Sequence, residues 1–144
     1  MVAEVIKRLN CSEEEITGAK SIFEKAIKME NVISALSRKQ YGDNCSLELF
    51  REQRFSVRDS KTSILSGAFD RLVAVSVGGK VVKGDVIDFK SDKIESKDML
   101  SEKAEYYKPQ LLAYRTATAK FLNIPEENVS LRLLFIRSGD VISF

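Results

Sequence analysis

Between Ile64 and Lys90 the chain carries two long apolar runs, Ile64 to Val77 and Val81 to Lys90, held apart around the dipeptide Gly78-Gly79. Runs of Ile, Val, Leu and Phe bounded by a Gly-Gly pair read as two antiparallel strands joined by a tight turn, because glycine takes positive φ without steric cost. Upstream, Phe55 and Val57 alternate with polar residues and Asp59-Ser60-Lys61 marks a turn, which extends the hairpin into an antiparallel meander. Downstream, Leu100, Ala104, Tyr107, Leu111, Tyr114, Ala117 and Phe121 return to helical spacing over Asp98 to Leu122, with Pro109 either beginning a second segment or kinking the first. Val129 to Ile136 reads as a strand, Ser138-Gly139-Asp140 as a turn, and Val141 to Phe144 as a last short strand. Helix, three strands, helix and two strands describe an α/β domain with helices laid against a sheet.

The leading helix is marked by Ser12 and Glu15, a capping box in which each residue serves the other's backbone. Ile16, Ala19, Phe23, Ala26, Met29, Ile33 and Leu36 follow at three- and four-residue steps, and Gly42 is a stop, so residues 13–40 read as one long or gently broken amphipathic helix. Val2, Val5, Ile6 and Leu9 suggest a shorter helix before it. Ser91 to Glu102, rich in charge, reads as a mobile loop. A chain of 144 residues with no linker or repeat is expected to form one compact domain, with a helical segment over residues 1–45 and a core over residues 46–144.

Composition removes several function classes. There is no His, and the two cysteines, Cys11 and Cys45, stand far apart, which excludes a zinc finger, an iron–sulfur cluster held within the chain and any His-based triad. No G-x-x-x-x-G-K-[ST] motif is present, so no ATP site is expected. No apolar run approaches the ~20 residues of a membrane span, and the start lacks a secretory pattern, so a cytoplasmic chain without a membrane partner is expected. The net charge of +2 is too small to point to nucleic acid by itself.

Charged residues nevertheless stand inside the apolar strand runs, among them Asp70, Asp88 and Lys90. Asp88 and Lys90 are two apart and share a face of their strand. A three-residue turn, Gly78-Gly79-Lys80, would pair Val77 with Val81 and set Asp70 opposite Asp88, with Cβ atoms about 4.5–5.5 Å apart. A two-residue turn would put the two carboxylates on opposite faces. Opposed carboxylates repel unless a cation neutralises them, and hard oxygen ligands suit Mg²⁺ or Mn²⁺ with a lysine beside a metal-bound water. The competing reading is an interstrand Asp–Lys ion pair, which contributes about 0–1 kcal/mol and performs no chemistry.

Beyond spacing, an ordered set of motifs from about Leu47 to Phe144 resembles the RecB-type nuclease domain of the PD-(D/E)XK superfamily, as found at the C-terminal end of UvrD-like and AddA-type helicase–nucleases. "REQRF" resembles the family's glutamate motif and selects Glu52; "GAFDR" resembles its glycine and first metal-binding aspartate, Gly67 and Asp70. "DFK" resembles the D-x-K core, Asp88 and Lys90, and "QLLAY" resembles the Q-x-x-x-Y motif, Gln110 and Tyr114. The helical His that family members often carry upstream has no counterpart here.

The resemblance implies a restriction-endonuclease-like mixed sheet flanked by helices and a Mg²⁺- or Mn²⁺-dependent DNA exonuclease of repair or recombination. It assigns Asp70, Asp88 and the backbone carbonyl of Phe89 to the metal, with Glu52 binding directly or through water. Lys90 would orient and help deprotonate the attacking water. Gln110 and Tyr114 would touch DNA or brace the site, unless they serve only helix-to-sheet packing. Arg71, on the other face from Asp70, reads as structural. The partners implied are DNA and a helicase domain of the same longer protein or of a partner subunit. The alternative is a catalytically silent relative of the same fold that binds DNA or braces a helicase complex.

Overall fold

The computed structural model describes residues 12–144. The expected short helix with Val2, Val5, Ile6 and Leu9 lies outside these residues, as does Cys11. From Ser12 the order is α1 (Glu13–Ala26), α2 (Glu30–Leu36), a 3₁₀ turn (Arg38–Tyr41), β1 (Ser46–Arg58), β2 (Ile64–Val77), β3 (Lys80–Lys90), α3 (Lys97–Leu122), a 3₁₀ turn (Glu126–Asn128), β4 (Val129–Phe135) and β5 (Asp140–Ser143). The five strands form one sheet in the order β1-β2-β3-β4-β5. β1, β2 and β3 are the antiparallel meander, β4 runs parallel to β3, and β5 returns antiparallel to β4. Only the parallel step needs a crossover, which α3 supplies.

Of the two forms expected over residues 13–40, one long helix or a gently broken one, the chain takes a broken form, two helices followed by a 3₁₀ turn. α1 begins at the capping box, with Glu15 N–H donating to Ser12 Oγ at 3.2 Å and Ser12 N–H to Glu15 at 2.8 Å. It ends at Ile27, and Met29 in extended geometry starts α2. The break turns Val32 onto the sheet, where it joins Ile87 and Leu134 on one face. A continuous helix would have kept one heading. Helix α3 runs unbroken through Pro109. That proline is on the exposed side, where the carbonyl it leaves unpaired can be hydrated, and Ala104, Leu111, Tyr114 and Ala117 on the inner side hold the helix to the sheet. The charged segment after β3 is short, since Ser96 caps α3 by accepting from Met99 N–H at 3.1 Å.

Gly78 and Gly79, at φ +58° and +78°, form a two-residue turn with Val77 opposite Lys80. The pairing does not stay in that register. Ser76 pairs with Val81 but Val75 pairs with Lys83, so Val82 is an extra residue bulged from β3. Beyond the bulge the ladder runs to Arg71 opposite Ile87 and ends there, in a register that aligns the next residues, Asp70 and Asp88. The turn is one residue shorter than the register argument needed, and the bulge restores that residue.

A second irregularity lies on β1 and β2. Phe50 and Leu72 face α3 on one side of Glu52 and Asp70, while Phe55, Val57, Leu65 and Phe69 face it on the other. These sets have opposite parity, yet Arg51 pairs with Arg71 and Gln53 with Phe69, so no residue has been inserted. The exchange of faces occurs at Glu52, which takes φ +50°. Beyond it the β1–β2 ribbon curls over α3, with Phe55 stacked on Phe69 at 4.5 Å and edge-on to Tyr114 at 5.7 Å. Gly67 makes room for this, because a Cβ there would come within 2.8 Å of the Phe55 ring. Lys120 on α3 ties down the end of the ribbon by donating to the Arg58 carbonyl at 2.5 Å.

Candidate functional site

The exchange of faces defines the site. Where β2 parts from β3, Phe89 N–H has no β2 carbonyl opposite it, and it donates to Asp70 Oδ2 at 2.8 Å instead. Asp70 is thereby directed toward β3 and Asp88. Asp88 itself is 2% exposed and faces α3 with Lys90. The Lys90 ammonium forms an ion pair with Asp88 Oδ2 at 2.5 Å, and among the described residues this oxygen has no other donor. Burial pushes the Asp88 carboxyl up; the Lys90 ammonium opposes the shift and the Asp70 carboxylate adds to it.

Lys90 is held from three directions. Besides Asp88 it donates to Gln110 Oε1 at 3.1 Å and sits 4.1 Å above the Tyr107 ring centroid. Gln110 spends its amide on the Tyr114 hydroxyl at 2.9 Å, so Gln110 and Tyr114, one helical turn apart, form a single brace behind the lysine. Burial pushes the Tyr114 hydroxyl up, and the nearby Asp88 and Asp70 carboxylates add to it.

Tyr107 and Asp92 belong to the site although sequence reasoning placed Tyr107 only among the apolar helix positions. The Tyr107 hydroxyl donates to Asp92 Oδ2 at 2.9 Å, and Lys103 pairs with Asp92 Oδ1 at 2.7 Å. The Lys103 ammonium holds the Asp92 carboxyl below the usual carboxylate range, with the Tyr107 hydroxyl contributing. The signal was present in the spacing, since Tyr107 falls three residues before Gln110 and four after Lys103.

Of the residues singled out from the sequence, Asp70, Asp88, Phe89, Lys90, Gln110 and Tyr114 are brought together. Glu52 stands opposite Asp70 in register but is exposed at its kink. Among the described residues no group of three or more acidic or other metal-ligating side chains is assembled. A third carboxylate is not required for Mg²⁺, which commonly takes one or two carboxylates and completes its shell with water and phosphate oxygens. The buried Asp88 carboxylate, met by the single Lys90 ammonium and set beside the Asp70 carboxylate, fits such an ion.

Arg71 is on the opposite face, where its guanidinium reaches the Tyr41 hydroxyl at 3.5 Å. There it borders a second buried carboxylate, Asp85, which also escaped the sequence reading. Asp85 accepts from Arg132 Nε at 3.2 Å, from a second nitrogen of the same guanidinium and from the Tyr41 hydroxyl. A depression of about 640 Å³ opens on this side, lined by Tyr41, Lys83, Asp85 and Arg132 among others. It does not include Asp70 or Asp88.

Among the described residues no helix is long and apolar enough to cross a membrane. The sequence matches no protein-family model, and no curated protein matches it.

Proposed function

We propose that the chain is a divalent-metal-dependent deoxyribonuclease that hydrolyses phosphodiester bonds, with a restriction-endonuclease-like core of the RecB-type, PD-(D/E)XK kind. The observation that carries this reading is the pair of carboxylates, the buried Asp88 and its neighbour Asp70, served between them by one ammonium, Lys90. A divalent cation would offset the repulsion that one lysine leaves between them. Asp70, Asp88 and the Phe89 carbonyl would hold Mg²⁺ or Mn²⁺, which when bound supplies positive charge opposite the scissile phosphate and an activated water. Asp70, fixed by Phe89 N–H, keeps its position as Asp88 engages the ion. Lys90, held by Gln110 and the Tyr107 ring, presents its ammonium to the attacking water and to the charge that grows on the phosphate. Glu52, at the kink opposite Asp70, would bind the ion directly or through water.

Two observations favour a second reading. The exposed Glu52 and the short Asp88–Lys90 contact are what a catalytically silent DNA-binding or scaffold domain of a helicase complex would retain. Labelled linear and circular DNA, single- and double-stranded, incubated with Mg²⁺, Mn²⁺ or chelator, separates the two. Metal-dependent cutting that starts from ends supports an exonuclease; binding without cutting under every condition supports the silent relative and overturns the nuclease.

A further inference from the structure

The carboxylate pair lies at the inner end of a stripe on α3. Lys103, Tyr107, Gln110 and Tyr114 recur at three- and four-residue steps and therefore share one side of the helix. Tyr114, at the inner end, is 9% exposed, and Tyr106, flanking the outer end, is 74% exposed. The Tyr106 ring meets Tyr107 edge to face, with centroids 5.0 Å apart and planes at 79°. Tyr107 in turn lies 4.1 Å beneath the Lys90 ammonium. Lys103 Nζ is 6.0 Å from the Tyr106 centroid, and its pair with Asp92 leaves it partly exposed.

Tyr106 is thus a largely exposed ring, edge to face with a neighbour that touches the candidate catalytic lysine, with the Asp92-paired Lys103 ammonium over one of its faces. Unpaired bases stack on such a surface while the backbone phosphates meet the cation. A base inside a duplex already has both faces covered by its neighbours. From this juxtaposition we infer that Tyr106 is a stacking platform for an unpaired base of the strand entering the Asp70–Asp88 site, so that single strands and frayed ends are the preferred substrates. The inference rests on the nuclease reading for the cleavage step and on the platform geometry for binding.

Both parts are tested with Tyr106→Ala and Tyr106→Trp. Binding of a fluorescent single-stranded oligonucleotide is measured in chelator, and cleavage of that oligonucleotide and of its blunt duplex is measured in Mn²⁺. Base–aromatic stacking is worth about 1–3 kcal/mol, so Tyr106→Ala is expected to weaken single-strand binding about tenfold. It also lowers the ratio of single-strand to duplex cleavage by a similar factor, while Tyr106→Trp preserves both. A merely structural tyrosine would not move that ratio. Equal losses on the two substrates, unchanged binding in Tyr106→Ala, or a wild type that binds no oligonucleotide overturns the platform. A wild type that binds through Tyr106 but cuts nothing overturns the nuclease reading and leaves the platform standing.

Discussion

Asp85 and Asp88 are three residues apart on β3, equally buried at 2% exposure, and on opposite faces of the sheet. Their surroundings differ in one respect. Asp85 receives two guanidinium nitrogens of Arg132 and the Tyr41 hydroxyl, so its charge is met by a directed fork and a further donor. Asp88 has one ammonium, Lys90, and a second carboxylate as a neighbour. A buried carboxylate whose lone pairs are met belongs to the architecture. One that is crowded by like charge and met by a single ammonium is the one that the proposed cation would relieve.

The largest expected difference between the two is in cleavage. Asp88→Asn and Lys90→Ala should each lower DNA cleavage about a thousandfold or more, roughly 4 kcal/mol in the barrier, whereas Asp85→Asn should retain the wild-type rate per folded molecule. Cutting by Asp88→Asn at the wild-type rate would end the distinction. In folding the order reverses. Arg132→Met strands the buried Asp85 charge and should cost about 3 kcal/mol or more in urea denaturation, while Asp88→Asn in chelator should be at least as stable as the wild type. A strongly destabilised Asp88→Asn protein would place Asp88 in the same class as Asp85.

Metal addition sharpens the contrast at a smaller scale. Mn²⁺ or Mg²⁺ at a hundred times its dissociation constant should stabilise the wild type by about 2.7 kcal/mol, leave Asp88→Asn unmoved, and still stabilise Asp85→Asn. Thermal melts with and without chelator read this directly. Next in size is the brace. Tyr114→Phe keeps the ring between Phe55 and Phe69 and loses one hydroxyl, an effect on the order of 1 kcal/mol on the cleavage barrier, and Gln110→Ala should cost more because it also frees Lys90. Equal, large losses in both would show that the hydroxyl contacts substrate.

The smallest effect is that of pH on the metal-free fold. Burial raises the Asp88 carboxyl, so the folded chain keeps this proton to higher pH than the unfolded chain does. Stability therefore falls as pH rises from below the ordinary carboxylate range through the raised value, and the advantage of Asp88→Asn over the wild type should grow across that interval. Urea midpoints of both proteins in chelator, compared across acidic to neutral pH, measure it; a constant difference would mean that Asp88 ionises as freely in the fold as in the unfolded chain.

Periodicity and turn chemistry determined the elements from the sequence alone, because both act over a few residues. The bounds of β2 at Ile64 and Val77, the start of α1 at the Ser12 capping box and the shared face of Asp88 and Lys90 follow from local hydrogen bonding and the alternation of a strand. The meeting of Asp70 with Asp88 was legible only as one of two registers. Tertiary structure chose between them by bulging Val82, since a two-residue glycine turn alone would have thrown the carboxylates to opposite faces. It also placed the face exchange at Glu52, where the ribbon must curl to lay Phe55 and Phe69 on α3. The local D-x-K pattern marks Asp88, but nothing within a few residues shows that Asp85 is buried and fully paired. The donors that satisfy Asp85 come from Tyr41 and Arg132, 44 and 47 positions away along the chain, and whether a buried charge is met or left wanting is settled only when distant segments pack around it.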